Sequence, residues 1–450
     1  MKVTATEFSR ISNLKPLQKL PVQHPANNRI NHFDRSFHDW YRFVLSFPPH
    51  LVRDYIRKFE LEKKAVILDP FCGTGTTIVE SKLNKFRAIG IEANPFAHFA
   101  SSVKTDWQIN PDDLEFTAGI IAKKAYTQLL TEGIDDDKYL TTKVSPDVLR
   151  QIDGEKASLL LSNSISATPL HKALTLLEFI SEFKNAQVYR YLLVAFSKAL
   201  VFRISNLKFG PEVGVSRQKG DTPVIAPWLE EITSIVNDIR SIQGDEFPQS
   251  TIILGDSRDV SSLLKPKSID AVITSPPYPN EKDYSRTTRL ESVLLGFINS
   301  KAELRNFKKT FVRSNTRSVY VTDKDDEWIS DNRKIRKIAN EIERRRIEQG
   351  KTSGFEKLYA RVSKLYFGGM ARHLENLKGV LKPGAHLAYV VGDQASYLRV
   401  MIRTGQILAE IAEDRGYEVV NIDLFRTRFA TATGEQLREE VVHLRWNGKG

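Results

Sequence analysis

The sequence predicts an α/β protein: a mostly parallel open sheet, with one antiparallel strand at its C-terminal end, plus a helical insertion. Three observations lead there. Residues 65–91 read as strand, glycine-rich turn, helix and strand, the opening unit of a doubly wound sheet. The same alternation resumes after residue 250. Between the two, residues 100–245 carry long helical patterns and almost no strand signal.

The 450 residues are 41% hydrophobic and 10% aromatic, which excludes the disordered, collagenous and disulfide-scaffold classes. Lys and Arg number 66 against 55 Asp and Glu, a formal +11 that points to an anionic partner. Cys72 is the only cysteine, so neither an intramolecular disulfide nor a multi-cysteine zinc site is expected. The nine histidines show no ligand spacing such as His-x-x-x-His, and no metal is expected. The first residues hold no apolar stretch of the secretory kind. The most apolar run, 191–202, contains Lys198 and falls short of the roughly 20 apolar residues that span a bilayer. The expectation is a cytoplasmic protein without membrane association.

In chain order, residues 1–37, punctuated by Pro16, Pro21 and Pro25, read as an N-terminal arm. Residues 38–100 form the first part of the sheet domain. Pro48 and Pro49 open a helix whose apolar residues recur at 51, 52, 55, 56 and 59. The continuous apolar run 65–68 is typical of a buried parallel strand. Gly73 and Gly75 make the turn into a helix over 76–84, and a second strand follows at 87–91. Residues 101–249 are the helical insertion, with helices over 169–183 and 186–202.

The sheet domain continues over 250–299 with strands at 250–254 and 269–274. Residues 300–355 are a second, basic insertion, holding 14 Lys and Arg against 9 Asp and Glu between 300 and 350. Two readings stay open there: a solvated helix laced by i,i+4 pairs, as in 341–346, or a face that contacts nucleic acid. Residues 356–450 end the sheet domain. A helix over 356–379 leads through a turn at Lys382-Pro383-Gly384 into a strand at 385–391. After a helix over 402–415 come two strand-like runs, 418–425 and 439–446, separated by turn residues 431–434. Strands joined that way pair antiparallel.

Asp69-Pro70-Phe71-Cys72-Gly73-Thr74-Gly75-Thr76-Thr77 sits just after the first buried strand. Its glycines let backbone approach a ligand closely, and the following helix offers free N–H groups. The dinucleotide fingerprint wants a third glycine where Ile78 stands, and no Gly-Lys-Ser/Thr ends the loop. Pyrophosphate readings therefore lose ground. Glu92 closes the second strand, 17 residues after Gly75, where an acid can accept hydrogen bonds from both ribose hydroxyls of a nucleoside cofactor.

That nine-residue string resembles motif I of the S-adenosylmethionine-dependent DNA amino-methyltransferases, which modify N4 of cytosine or N6 of adenine. The resemblance implies a Rossmann-like methyltransferase sheet and S-adenosyl-L-methionine as cofactor. It assigns cofactor binding to Asp69, Pro70, Phe71, Gly73, Gly75, Thr76 and Glu92. Cys72 belongs to the pattern as a small buried residue, and no thiol chemistry follows.

Ser275-Pro276-Pro277-Tyr278 follows the strand 269–274 at its carboxyl end, the edge where open α/β sheets bind ligands. An exocyclic amine is a poor nucleophile because its lone pair is delocalised into the ring. The Ser275 hydroxyl and a proline carbonyl can accept the amine protons and shift electron density outwards. Pro276 and Pro277 fix the carbonyls in extended geometry and add no competing N–H. Tyr278 can stack on a base swung out of the duplex. The tetrapeptide resembles motif IV of the same family, and a leading serine favours the N4-cytosine branch.

Weaker likenesses complete the set. The segment 252–257 resembles motif III, which would put Asp256 on the cofactor adenine; otherwise Asp256 caps the next turn. Phe47-Pro48-Pro49-His50-Leu51 resembles motif X, beside the methionine end of the cofactor. The matches cover under half the chain. The implied function is a site-specific DNA methyltransferase that flips cytosine out of duplex DNA and methylates N4 directly, within a restriction-modification system and beside a cognate restriction endonuclease. Alternatives are adenine N6 in DNA, an RNA amino-methyltransferase, or a DNA-binding regulator that holds the cofactor without methylating.

Overall fold

The computed structural model describes residues 34–43, 46–137, 148–210, 212–430 and 434–448. Most of the expected arm, residues 1–33, lies outside them, as do 431–433. The described strands are β1 (Val66–Asp69), β2 (Arg87–Glu92), β3 (Leu207–Phe209), β4 (Val213–Val215), β5 (Ser250–Leu254), β6 (Ile269–Thr274), β7 (Leu381–Gly392), β8 (Glu418–Ala430) and β9 (Glu435–Trp446). Seven make one sheet in the order β5-β2-β1-β6-β7-β9-β8, and β3 pairs with β4 alone.

From β5 to β7 every pairing is parallel. β9 runs against both neighbours, as expected for the C-terminal strand. Burial explains the sequence signal: Ile67, Leu68, Val272 and Ile273 are sealed on both faces by helices, so the strands read as apolar runs. The chain winds outwards from β1 through β2 to β5, then returns to β6 on the other side of β1. The order therefore reverses between β1 and β6. At such a switch point the two outgoing loops diverge and leave a crevice.

The described residues between 111 and 241 are mainly helical. Pro111–Thr131 starts with proline at its first turn and an Asn110 side chain that accepts the Asp112 N–H. It packs with Ala167–Ser181, Tyr189–Ala199 and Ile225–Ser241 around Leu192, Val194, Phe196 and Trp228. The cluster is continuous with Trp40 and Phe96 beside β2, so the helices extend the sheet's core. Phe37, the last arm residue, is buried in it too, 4.3 Å from the Trp107 ring. Among the described residues, no helix is long and apolar enough to cross a membrane.

Three local readings are corrected. The run 186–202 is not one helix: it passes into a wider π turn at Leu200–Ile204 and then the β3–β4 hairpin, in a region expected to lack strands. Strands of three residues are too short to show alternation. Lys382-Pro383-Gly384 is not a turn before the strand but part of β7, where the pairing register slips between Ile269 and Ala271 and Gly384 takes φ +90°. The later strands are longer than the apolar runs suggested, because β8 and β9 pair with each other past the end of β7.

In the basic insertion, the helix Arg333–Glu348 buries Ile335, Ala339 and Ile342, while Glu341, Glu343 and Glu348 pair with Arg344, Arg345 and Arg346. Those arginines are compensated along their own helix. The long helix Tyr359–Leu377 beneath carries Gly368, where a Cβ would stand 1.9 Å from the Asp325 carbonyl oxygen. Asp325 in turn receives Arg258 at 2.6 Å.

Gly368→Ala should therefore destabilise by about 1–3 kcal/mol, the overpacking cost outweighing alanine's helix propensity. Gly379→Ala, with nothing within 4 Å of the new methyl, should leave the melting temperature unchanged or slightly raised. Thermal melts of the two variants check the contrast.

Candidate active site

β1 ends at Asp69, and the turn to the helix Thr76–Leu83 passes through Gly73 at φ +52° and Gly75 at φ +85°, a region that costs other residues about 1–2 kcal/mol. At Gly75 a side chain would also meet the Ser101 Cβ at 3.1 Å. Glu92 holds the turn from the neighbouring strand. Its carboxylate accepts the Gly73 N–H and the Asn94 N–H, both at 2.7 Å. Burial pushes its pKa up to about 7, against those backbone bonds.

Asp69 points the other way, into the sheet. It accepts the Thr274 hydroxyl at 2.6 Å and the Phe71 N–H at 3.1 Å, and burial raises it to about 6. Thr274 is the last residue of β6, so this bond ties the two strand ends on either side of the reversal. Thr77 adds a bond from its hydroxyl to the Ile273 carbonyl at 3.0 Å. Ser275 to Tyr278 leave β6 directly above.

The Ser275 hydroxyl donates to the Val390 carbonyl on β7 at 3.1 Å. With its one proton so engaged, the oxygen presents lone pairs to a donor. Tyr278 donates its N–H to the Tyr284 hydroxyl at 3.2 Å. Its ring lies against Gly392, where a Cβ would be 3.0 Å from Cε2, so a side chain there would press on the ring. Burial first, then Glu439, raises the Tyr278 phenol and keeps it neutral.

A cavity of ≈ 300 Å³ opens between the loops. Pro70, Phe71, Gly73, Thr76 and Glu92 line one side, and Ser275, Pro276, Pro277 and Tyr278 the other. Of the expected site residues, Asp69 and Gly75 stand behind the wall as supports. Asp256 is not in the lining. Its carboxylate caps the Arg258 N–H at 2.9 Å and pairs with the Arg258 guanidinium at 2.5 Å, so the capping alternative describes where it lies. The adjacent Ser257 lines the cavity instead.

Sequence reasoning missed several wall residues. Asn94 stands two residues beyond Glu92, and Lys282 and Tyr284 shortly beyond Tyr278, so proximity was an available signal. Phe43, Phe311, Arg426 and Glu439 arrive from distant segments, and no local pattern marks them. Phe47 and Pro48 of the motif X likeness do reach the cavity. The donor set suits S-adenosylmethionine: bare backbone at Gly73 facing Phe43, a carboxylate at Glu92, aromatic and proline walls, and a volume at the low end for small-molecule sites.

Residues 12–101 match the N6/N4 methyltransferase family, described as DNA methylase. Along 99% of its length the chain is 26% identical to the Type II methyltransferase M.BsoBI of Geobacillus stearothermophilus, covering 90% of that protein. It is 27% identical to the Type II methyltransferase M.AvaI of Nostoc sp., over 85% of this chain and 79% of the relative. A Type II methyltransferase of Methanocaldococcus jannaschii, M.MjaII, is 25% identical over 56% of the chain and 60% of its own.

Glu92 yields a prediction with a definite sign. Its folded-state pKa is raised, so the free protein loses stability as pH rises from the ordinary glutamate range to about 7. Ribose hydroxyls need the ionised form as acceptor, so affinity for S-adenosylhomocysteine should rise over the upper part of that window. A pKa of about 7 predicts a roughly tenfold gain between pH 6 and 8. Glu92→Gln should weaken binding and flatten the profile, as measured by titration calorimetry.

Proposed function

We propose that the chain is an S-adenosylmethionine-dependent DNA amino-methyltransferase of the N4/N6 family that methylates the exocyclic N4 of cytosine at a specific sequence in duplex DNA. The observation that carries the reading is the single cavity in which Ser275-Pro276-Pro277-Tyr278 faces the glycine turn. The leading serine of that loop supports cytosine over adenine. Similarity to Type II methyltransferases supports a role in a restriction-modification system, in the cytoplasm and alongside a cognate endonuclease.

When bound, S-adenosylmethionine supplies a methyl group on a positively charged sulfur. Pro70, Phe71, Gly73, Thr76 and Glu92 would hold it, with Asp69 and Gly75 fixing the turn. A base in the duplex is out of reach, so the target cytosine must leave the stack. Tyr278 offers it a flat neutral ring backed by Gly392. The Ser275 oxygen and the proline carbonyl accept the amine protons, which returns lone-pair density to the nitrogen. Because these acceptors are fixed before substrate arrives, they need not reorganise during transfer. Transfer is direct, without a covalent enzyme intermediate. Cys72 has no part in it: its thiol is buried, raised well above the usual range, and packed where a Cβ on Gly90 would lie 2.8 Å away.

Incubation with methyl-labelled cofactor and unmethylated genomic DNA, followed by mass analysis of nucleosides, should yield N4-methylcytosine; N6-methyladenine would overturn the base assignment. Ser275→Ala and Tyr278→Ala should each lower transfer by about a hundredfold or more. Affinity for S-adenosylhomocysteine should stay within a few-fold of wild type.

A further inference from the structure

The mouth of the cavity is framed by two elements that the methyl-transfer chemistry leaves unused. One is the overhang of the C-terminal ribbon. β9 pairs with β7 only as far as Glu439 opposite Gly392, whereas β8 and β9 stay paired out to Ala430 opposite Glu435. Arg428 sits opposite Leu437, two residues past the end of β7, which is about 7 Å along an extended strand. It lines the cavity and is exposed. Its nearest carboxylate, Glu439, stands 3.8 Å away and is already engaged by Arg426 at 2.6 and 2.7 Å.

The other is the turn after the catalytic loop. Glu281 takes φ +65°, an unfavourable conformation for a residue with a side chain. It is held there on both sides: its N–H donates to the Ser314 carbonyl at 3.1 Å, and its carboxylate accepts from the Thr316 N–H at 2.9 Å and hydroxyl at 2.8 Å. The strapped turn places Lys282, half-buried, in the cavity wall. Burial is the main influence on its ammonium and Arg428 the next, both disfavouring the charged form, while Glu212 and Glu439 favour it more weakly. The strained turn and the ribbon thus each set a cation in the lining of the same cavity. Like charges held together at a mouth are relieved by an anion between them.

We propose that Lys282 and Arg428 together seat a backbone phosphate of the DNA strand that carries the target base. A nucleotide swung out of the duplex brings its phosphates to the rim of the pocket its base enters, and phosphate contacts fix register without reading sequence. The site rests on the reading of the chain as a DNA methyltransferase that flips its base.

The test uses the full chain, with its methylated sequence first mapped in plasmid DNA, and a duplex of about 30 base pairs built around that sequence. Each of Lys282→Gln and Arg428→Gln should weaken duplex binding about tenfold and reduce the slope of log affinity against log salt, the double variant reducing it by about 0.9. Lys282→Arg should restore the slope. Replacing single phosphates beside the target by uncharged methylphosphonate should identify one position that weakens wild type and has no further effect on the double variant. Melting temperature serves as the folding control. Wild-type salt slopes in both variants, or phosphonate effects that simply add to the mutations, would overturn the phosphate seat while leaving the methyltransferase intact. A wild-type protein that neither binds nor methylates duplex DNA would instead remove the functional reading beneath it.

Discussion

Asp69 accepts the Thr274 hydroxyl at 2.6 Å where β1 and β6 run side by side, and the rest of the site depends on that junction. These strands flank the point where the sheet order reverses, so their loops leave in different directions and open a crevice. The glycine turn and the Ser-Pro-Pro-Tyr loop are about 200 positions apart in the chain, yet begin within one hydrogen bond of each other. Neither loop makes a pocket alone. The sheet topology supplies the second wall.

Buried ionisable groups keep the turn rigid. Besides Asp69 and Glu92, Lys104 is fully buried and donates to the Tyr41 carbonyl at 2.9 Å and the Thr74 carbonyl at 2.7 Å, with burial lowering it to about 7. Isolated charges in such surroundings are costly, but each of these groups meets backbone dipoles. The result is a loop in which the Phe71, Cys72, Gly73 and Gly75 N–H groups and the Thr74 carbonyl are held by the protein itself. On the opposite side, Tyr284 beneath the Tyr278 N–H and Gly392 beneath its ring fix the position of that ring.

The parts legible in the sequence were those set by local rules. β1, β2, β5 and β6 read correctly because strands buried on both faces are continuous apolar runs. The two loops stood out because close backbone approach demands glycine and fixed carbonyls suit proline, and they line one cavity. What the sequence did not show was set by distant partners. Asp256 follows β5, and its carboxylate is held by Arg258, itself bonded to Asp325. The β3–β4 hairpin is too short for a pattern, and the tail of β8 is strand only because β9 pairs with it. Phe311 and Glu439 enter the wall through tertiary packing that no spacing announces.

Amide hydrogen exchange with ligands added in sequence tests most directly whether this crevice is the working site. S-adenosylhomocysteine should slow exchange at residues 72–76 and 91–94. Addition of duplex DNA should then slow it at 278–284 and along 426–428. Protection by the cofactor analogue elsewhere, with the glycine turn unchanged, would contradict the account.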